Sequence, residues 1–248
     1  MQRSDPRRHS PQPVGHPDRV HTRSVVAVIG FLAAWNVAGN LVVPDAWYVP
    51  SNLIAGLVIG LLVFRGGGNG ATLGLEPDRF AEGWRLGLKF GAGAVVLIVI
   101  AAALPQARRF LEDDRFVGVA VPGLLYQVLL RIPIGTALFE EIAFRGALFG
   151  MLNRRFTTSA AAVSSSLLFG LWHVVPTLTA LDTNAAGDLG SSAVAMLAVV
   201  AGGVVVTALA GLGFVWLRLR GNSLIAPIVT HAALNCTAYA VGWSLVSS

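Results

Sequence analysis

Long apolar runs separated by short polar segments make up the chain after its first two dozen residues. A helix crosses the hydrocarbon core of a bilayer with about 20 residues, and six runs are close to that length: 24–43, 47–64, 86–104, 159–175, 191–217 and 223–246. A seventh run, 122–151, is too long for one simple crossing, and Pro133 near its middle is expected to kink it or split it in two. The pattern predicts an all-α fold, a polytopic transmembrane helix bundle of about seven to eight helices.

Two segments depart from this pattern. Residues 1–23 are polar, rich in proline and arginine and without apolar periodicity, so we predict a disordered basic cytoplasmic tail. The stretch 77–89 is short and amphipathic, and it is expected to lie at the membrane interface. We therefore predict one transmembrane domain, residues 24–248, whose motifs fall in a core at 118–246.

The composition agrees with a membrane protein. Hydrophobic residues make up 54% of the chain and charged residues 12%, and the mean hydropathy is +0.67, whereas soluble domains carry about 25% charged residues. A net charge of +5 would suggest nucleic acid in a soluble protein. Here it indicates basic loops facing anionic lipid, and no nucleic-acid partner is expected. The single cysteine, Cys236, excludes an intramolecular disulfide.

Basic residues recur at alternate boundaries between the apolar runs, in the N-terminal segment and at 65–89, 154–155 and 218–220. Cytoplasmic loops carry an excess of Lys and Arg, so these boundaries are assigned to the cytoplasmic side of the membrane. We predict a multi-pass cell-membrane protein with a cytoplasmic N-terminus and an outer C-terminus. The bilayer is its expected environment, and the oligomeric state stays open.

Carboxylates and histidines stand at only three places inside the apolar runs: Glu140 and Glu141, followed by Arg145; then His173; then His231, followed by Asn235. Insertion scales give a cost of about 2.5–3.5 kcal/mol for a charged residue at the helix centre, so such groups mark functional sites. The helical rise of about 1.5 Å per residue puts all three places at similar depth. We therefore expect them to meet inside the bundle.

Helical spacing predicts how these side chains are arranged. Glu141 and Arg145 are four residues apart, which favours an ion pair on one helix face. Glu140 points about 100° away and is left to act as a base. Phe169 lies four residues before His173, so its ring can pack beside the imidazole.

A glutamate, two histidines and an asparagine in a sheltered pocket suit amide hydrolysis. Glu140 with His173 would hold and deprotonate a water molecule, while His231 and Asn235 would donate hydrogen bonds to the developing oxyanion. Alternatively, Glu140, His173 and His231 could ligate zinc, which leaves a fourth position for water. The spacing does not decide between a metal-free and a metal-bound water.

Three motifs carry a family resemblance: EEIAFR at 140–145, FGLWH at 169–173 and HAALN at 231–235. Together they resemble the CPBP family of intramembrane proteases, which includes the Rce1-like type II CAAX prenyl endopeptidases and the bacterial Abi proteins. The resemblance implies that Glu140 is the catalytic base, His173 its water-holding partner, and His231 with Asn235 the oxyanion-binding pair. It also implies that Glu141 and Arg145 shape the site.

The resemblance implies an intramembrane endopeptidase that cleaves a peptide or membrane-associated protein. The high Gly, Ala, Val and Arg content suits a GC-rich bacterium, which makes prenyl-protein processing the less favoured role. Two other functions stay open: a proton-coupled transporter that uses the buried acids and histidines, and a non-catalytic membrane immunity or scaffold protein.

Overall fold

The computed structural model describes residues 20–108, 111, 114–180 and 192–247. Within these ranges the chain is helical and contains no strand. The long helices are α1 (Thr22–Leu41), α2 (Tyr48–Arg65), α3 (Phe80–Ala103), α4 (Val121–Asn153), α5 (Thr158–Trp172), α6 (Ala193–Arg220) and α7 (Ile225–Ser247). Shorter helical turns lie between them, at Gly70–Leu73 and Val174–Ala180 among others. The predicted all-α bundle is confirmed.

In the part of the chain that the structure describes, six helical segments are long and apolar enough to cross a membrane, and they contain α1 to α6. The last helix, α7, has 23 residues but is not among the six. It carries Thr230, His231 and Asn235, which lower its hydropathy. His231 and Asn235 belong to the candidate site described below.

The structure describes the last residues of the predicted basic tail, 20–23, and α1 begins within them at Thr22. Val20 is fully buried, and its carbonyl accepts a hydrogen bond from the Arg155 guanidinium. The backbone N–H of His21 donates to the carbonyl of Gly66 at 3.0 Å. Burial and hydrogen bonding therefore fix the chain just before α1, while the rest of the predicted tail, 1–19, lies outside the described residues.

The predicted interfacial stretch 77–89 is not a separate helix, since its residues from Phe80 onward form the first turns of α3. Glycines at every fourth position, Gly83, Gly87 and Gly91, are buried on the face of α3 that packs against α7. A Cβ atom added at Gly87 would lie 2.7 Å from the Cβ atom of Val229. The close approach of the two helices thus depends on glycine along this face.

The run around Pro133 is one continuous helix, α4, and it is not split. Its backbone is wound as a π-helix over Gln127–Leu138 and again over Ile142–Leu148, with one α-helical turn, Phe139–Glu141, between them. Proline lacks an N–H group and cannot complete the regular α-helical hydrogen bonding. Wide π-type turns accommodate such interruptions within a helix and are frequent at functional sites.

The basic ends of the helices meet at one end of the bundle, around the turn Gly70–Leu73. Arg218 of α6 donates to the carbonyl of Ala71 at 3.1 Å, and Arg154 donates to the Thr72 hydroxyl at 3.0 Å. Gly74 ends this turn with a left-handed backbone, φ +75°. A Cβ atom there would lie 2.2 Å from Arg218 Nε, so both the conformation and the space require glycine.

Candidate active site

The short α-helical turn of α4 carries both acids of the first motif, and both point into the protein. Glu140, Glu141 and Arg145 have 7%, 0% and 1% of their surface exposed. Charged groups are almost never buried to this degree unless they are paired. Their partners therefore define the chemistry of the site.

Glu141 and Arg145 form the ion pair that the sequence predicts, with Arg145 Nη1 3.0 Å from Glu141 Oε1. The guanidinium also lies over the ring of Phe169 on α5, 3.9 Å from the ring centroid, and 4.9 Å from that of Phe214 on α6. Aromatic faces attract cations, more strongly where water is excluded. Arg145 therefore connects three helices around one buried charge.

His231 of α7 lies against both glutamates. Its Nδ1 atom is 2.8 Å from Glu141 Oε1 and its Nε2 atom is 3.8 Å from Glu140 Oε2. The imidazole stacks on the ring of Phe214, with 4.8 Å between centroids and 20° between planes. Glu141 Oε1 thus accepts from Arg145 and also contacts His231, which fixes the orientation of the imidazole.

His173 follows directly after the last residue of α5. Its Nδ1 atom is 2.8 Å from the carbonyl oxygen of Phe169, and its ring packs edge-on against the Phe169 ring at 4.6 Å. A carbonyl oxygen only accepts hydrogen bonds, so Nδ1 carries the proton and Nε2 is left available. The predicted packing of Phe169 beside His173 is confirmed.

A cleft of about 370 Å³ brings Glu140 and His173 together. Trp172 and Thr136 also line it, and at its mouth lies an ion pair in which both Nη atoms of Arg131 are 3.2 Å from Asp45 Oδ1. The remaining polar wall includes Tyr48, Asn52 and Arg115. The cleft is therefore a polar space that reaches a buried carboxylate inside an apolar bundle.

His231 and Asn235 are not among the residues that line this cleft. His231 lies beside Glu140, through its Nε2 atom. Asn235 is half-buried one turn further along α7, and it makes no hydrogen bond to another residue of the described ranges. Glu140 thus shares the cleft with His173 and contacts His231, whereas Asn235 is placed only by its position on α7, one turn from His231.

The predicted metal ligands were Glu140, His173 and His231. Across the described ranges, no three His, Cys, Asp or Glu side chains are placed to hold one metal ion. Both histidine Nδ1 atoms contact protein oxygens, Phe169 O and Glu141 Oε1, as the Nδ1 atoms of metal-ligating histidines also do. The case against a zinc site therefore rests on the side-chain positions alone, which do not bring three ligands of the described ranges to one point.

Several residues at the site were not predicted from the sequence. Trp172 donates from its indole Nε1 to Glu140 Oε1 at 3.1 Å, and Phe214 stacks on His231. Both are apolar by composition, so they do not stand out within apolar helices. The indole N–H is the one usable signal, because a buried tryptophan N–H needs an acceptor.

The fold and the site define a polytopic helical membrane protein with a buried glutamate–histidine cluster beside a polar cleft. In a scan against protein-family models, residues 121–237 match the family described as Type II CAAX prenyl endopeptidase Rce1-like. This segment contains all three motifs, and the match confirms the family resemblance that they carry. Comparison with curated proteins and with solved structures gave no match.

Proposed function

We propose that the protein is an intramembrane endopeptidase that hydrolyses peptide bonds of peptides or membrane-associated proteins with a water molecule activated by Glu140 and His173. One observation carries the proposal: these residues come from two helices and line one polar cleft within an apolar bundle. The Rce1-like match of residues 121–237 supports protease chemistry in this segment.

The attack on the substrate uses the free oxygen of Glu140. Oε1 accepts the Trp172 indole N–H, whereas Oε2 has no hydrogen-bond partner. A water molecule held between Glu140 Oε2 and His173 Nε2 transfers a proton to the carboxylate as its oxygen bonds to the carbonyl carbon. General-base catalysis of this kind contributes about 10²–10⁴-fold to rate.

The attack turns the carbonyl oxygen into an oxyanion, which needs hydrogen-bond donors. We assign this role to His231 Nε2 and to the Asn235 amide, which share one face of α7 because they are four residues apart. Because Nδ1 of His231 donates to the Glu141 carboxylate, Nε2 can donate as well only in the protonated imidazolium, and the proposal requires that form. Glu141 supports His231 by holding its Nδ1 atom. The imidazole can then keep its orientation while charge develops on the substrate.

Collapse of the tetrahedral intermediate breaks the C–N bond. Glu140 returns its proton to the leaving nitrogen, which departs as an amine, and the acyl part leaves as a carboxylic acid. The same carboxyl group serves first as base and then as acid. No covalent acyl-enzyme forms, so no serine or cysteine nucleophile is required.

The proposal is tested with purified, reconstituted protein and a library of membrane peptides, with cleavage followed by mass spectrometry. Glu140→Gln and His173→Ala should each lower turnover by about 10² or more, while both proteins still insert and fold. Glu82→Gln is the matched control, because Glu82 is a half-exposed acid on α3 whose partner is Arg85. It should cleave like the wild type.

The outcomes separate the competing functions. Equal cleavage by wild type and Glu140→Gln would overturn the protease assignment. Absence of cleavage by all variants, together with biological activity of Glu140→Gln, would favour the immunity or scaffold protein. Proton flux into liposomes that depends on Glu140 would favour the transporter.

A further inference from the structure

Hydrogen bonds connect α1, α5 and the glutamate of α4. Asn36 of α1 donates from Nδ2 to the carbonyl of Trp172 at 2.9 Å. Trp172 donates from its indole Nε1 to Glu140 Oε1 at 3.1 Å. Asn36 is buried, with 8% of its surface exposed. An amide on the first helix is thus linked through one tryptophan to the central carboxylate.

Proline explains why the Trp172 carbonyl accepts from outside its own helix. The regular helical donor to this carbonyl is the N–H group four residues on, and that residue is Pro176, which has none. Asn36 supplies the missing donor from α1. The end of α5 is therefore held by the neighbouring helix.

Aromatic packing fixes the indole itself. The Trp172 ring lies 5.9 Å from the ring of Phe139 and 5.6 Å from that of Phe144, both on α4. Tilted and edge-on pairs at such distances are favourable. The indole N–H is thereby aimed at Glu140 Oε1, and the carboxylate cannot rotate without losing this hydrogen bond.

This arrangement makes the two oxygens of Glu140 different. Oε1 is occupied by Trp172, while Oε2 is buried, has no hydrogen-bond partner and lies 3.8 Å from His231 Nε2. We propose that Trp172 and Asn36 are positioning residues, which select Oε2 as the oxygen that exchanges protons with water. The inference rests on the proposed protease function.

We call the hydrogen bonds from Asn36 through Trp172 to Glu140 the relay. It extends the proposed active site beyond the segment that matches the family model. Asn36 lies far outside residues 121–237, yet its hydrogen bond acts at the residue beside His173. The first helix therefore completes the active site as well as spanning the membrane. Geometric errors near 1 Å at a reacting group can cost about 10²-fold in rate, so this support affects turnover.

The test removes the indole N–H group and keeps an aromatic ring system of similar size and shape. Trp172 is substituted by 3-benzothienylalanine, in which sulfur replaces the indole N–H, and the same replacement at half-exposed Trp216 on α6 is the control. A hydrogen bond to a charged group contributes about 1.5–3 kcal/mol, so kcat should fall about tenfold or more at position 172. KM should stay near the wild-type value, and the Trp216 variant should match the wild type in both constants.

Asn36→Leu tests the second link. It leaves the Trp172 carbonyl without its donor and should lower kcat, and the 3-benzothienylalanine replacement should then have a smaller effect than it has alone. Val37→Leu, at the next position of α1, is the control because Val37 is exposed and is not among the residues that line the cleft. It should leave kcat unchanged.

Failure of the relay and failure of the protease assignment give different results. If the wild type cleaves and the position 172 replacement keeps its kcat, the relay is wrong. If nothing cleaves, the proposed function falls, and the relay is judged from the indole N–H resonance of Trp172 in ¹⁵N-labelled protein. This resonance should move upfield in Glu140→Ala while that of Trp216 stays in place; a fixed Trp172 resonance would overturn the relay.

Discussion

Glu141 and His231 lie 90 residues apart in the chain, and their Oε1 and Nδ1 atoms are 2.8 Å apart in the structure. The same Oε1 accepts from Arg145 at 3.0 Å. Helices α4 and α7 are thus joined through one carboxylate oxygen. The contact supports the proposal that the second glutamate organises the site while the first reacts.

Removing Arg145 should destabilise the protein strongly. Arg145→Met leaves Glu141 buried without its cation, and breaking a buried pair in this way costs about 3–5 kcal/mol. Thermal or denaturant unfolding in detergent measures the effect. Arg79→Met is the control, since Arg79 and Asp78 form an exposed pair whose loss is worth about 1 kcal/mol or less. Equal losses for the two variants would contradict the structural role of Arg145.

Gly170 should not tolerate a methyl group. A Cβ atom there would lie 2.5 Å from the carbonyl oxygen of Val204 on α6, so Gly170→Ala must push α5 away from α6. We expect a loss of about 1–3 kcal/mol and lower activity, because His173 follows three residues later. Gly202→Ala is the control: no atom lies within 4 Å of its added Cβ, and helix propensity predicts a gain of up to about 1 kcal/mol. Unfolding midpoints that rank the two variants in the reverse order would count against this packing.

Asn52 of α2 should contribute more to the free energy of unfolding than Asn40, an exposed asparagine on α1. Its side chain donates to the carbonyl of Gly135 at 3.0 Å and accepts from Trp35 Nε1 at 2.8 Å. Asn52→Leu leaves both groups without a partner, at a cost of about 1–3 kcal/mol for each buried group. Asn40→Leu should change the unfolding free energy by no more than about 0.5 kcal/mol. A similar change in both proteins would show that Asn52 does not hold α4.

Chelation should leave turnover intact, since no three ligands within the described ranges are placed to hold one metal ion. The wild type is assayed on the same peptides with and without a strong chelator. A fall in rate that zinc restores would instead establish the zinc-bound water that the sequence left open.

The predicted orientation in the membrane, with the N-terminus in the cytoplasm, is tested with single cysteines in a Cys236→Ala background. Val42 and Phe156 are both exposed; Val42 follows the C-terminal end of α1, and Phe156 lies next to Arg155, which contacts Val20 before α1. With the N-terminus in the cytoplasm, an impermeant maleimide should label Val42→Cys in intact cells and Phe156→Cys only after lysis. The opposite pattern would reverse the assignment.

The sequence predicted the helices well because each crossing is a continuous apolar run whose length the bilayer dictates. It predicted the Glu141–Arg145 pair because both residues lie on one helix with regular spacing. It did not predict the contact of His231 with both glutamates. That contact depends on how α7 packs beside α4, which local periodicity does not encode.

The contrast between local periodicity and contacts between helices also explains where the observed fold differs from the predicted one. Pro133 signals an interruption of α4, but its accommodation by π-type winding depends on neighbours such as Asn52, which bonds the carbonyl of Gly135. The fusion of 80–89 with α3 likewise depends on α7, which packs against the glycine face. The need of the Trp172 indole N–H for an acceptor could be inferred from the sequence, but its partner could not, because Glu140 is 32 residues away.

The ion pair between Glu141 and Arg145 also sets the charge of the whole cluster. Arginine is always protonated, so two ionised glutamates against one guanidinium leave a net charge of −1 when both histidines are neutral. A buried site favours neutrality, and one extra proton achieves it. The proposed mechanism places this proton on His231, whose Nε2 atom donates to the oxyanion while Nδ1 donates to Glu141, and it leaves Glu140 ionised to accept a proton from water.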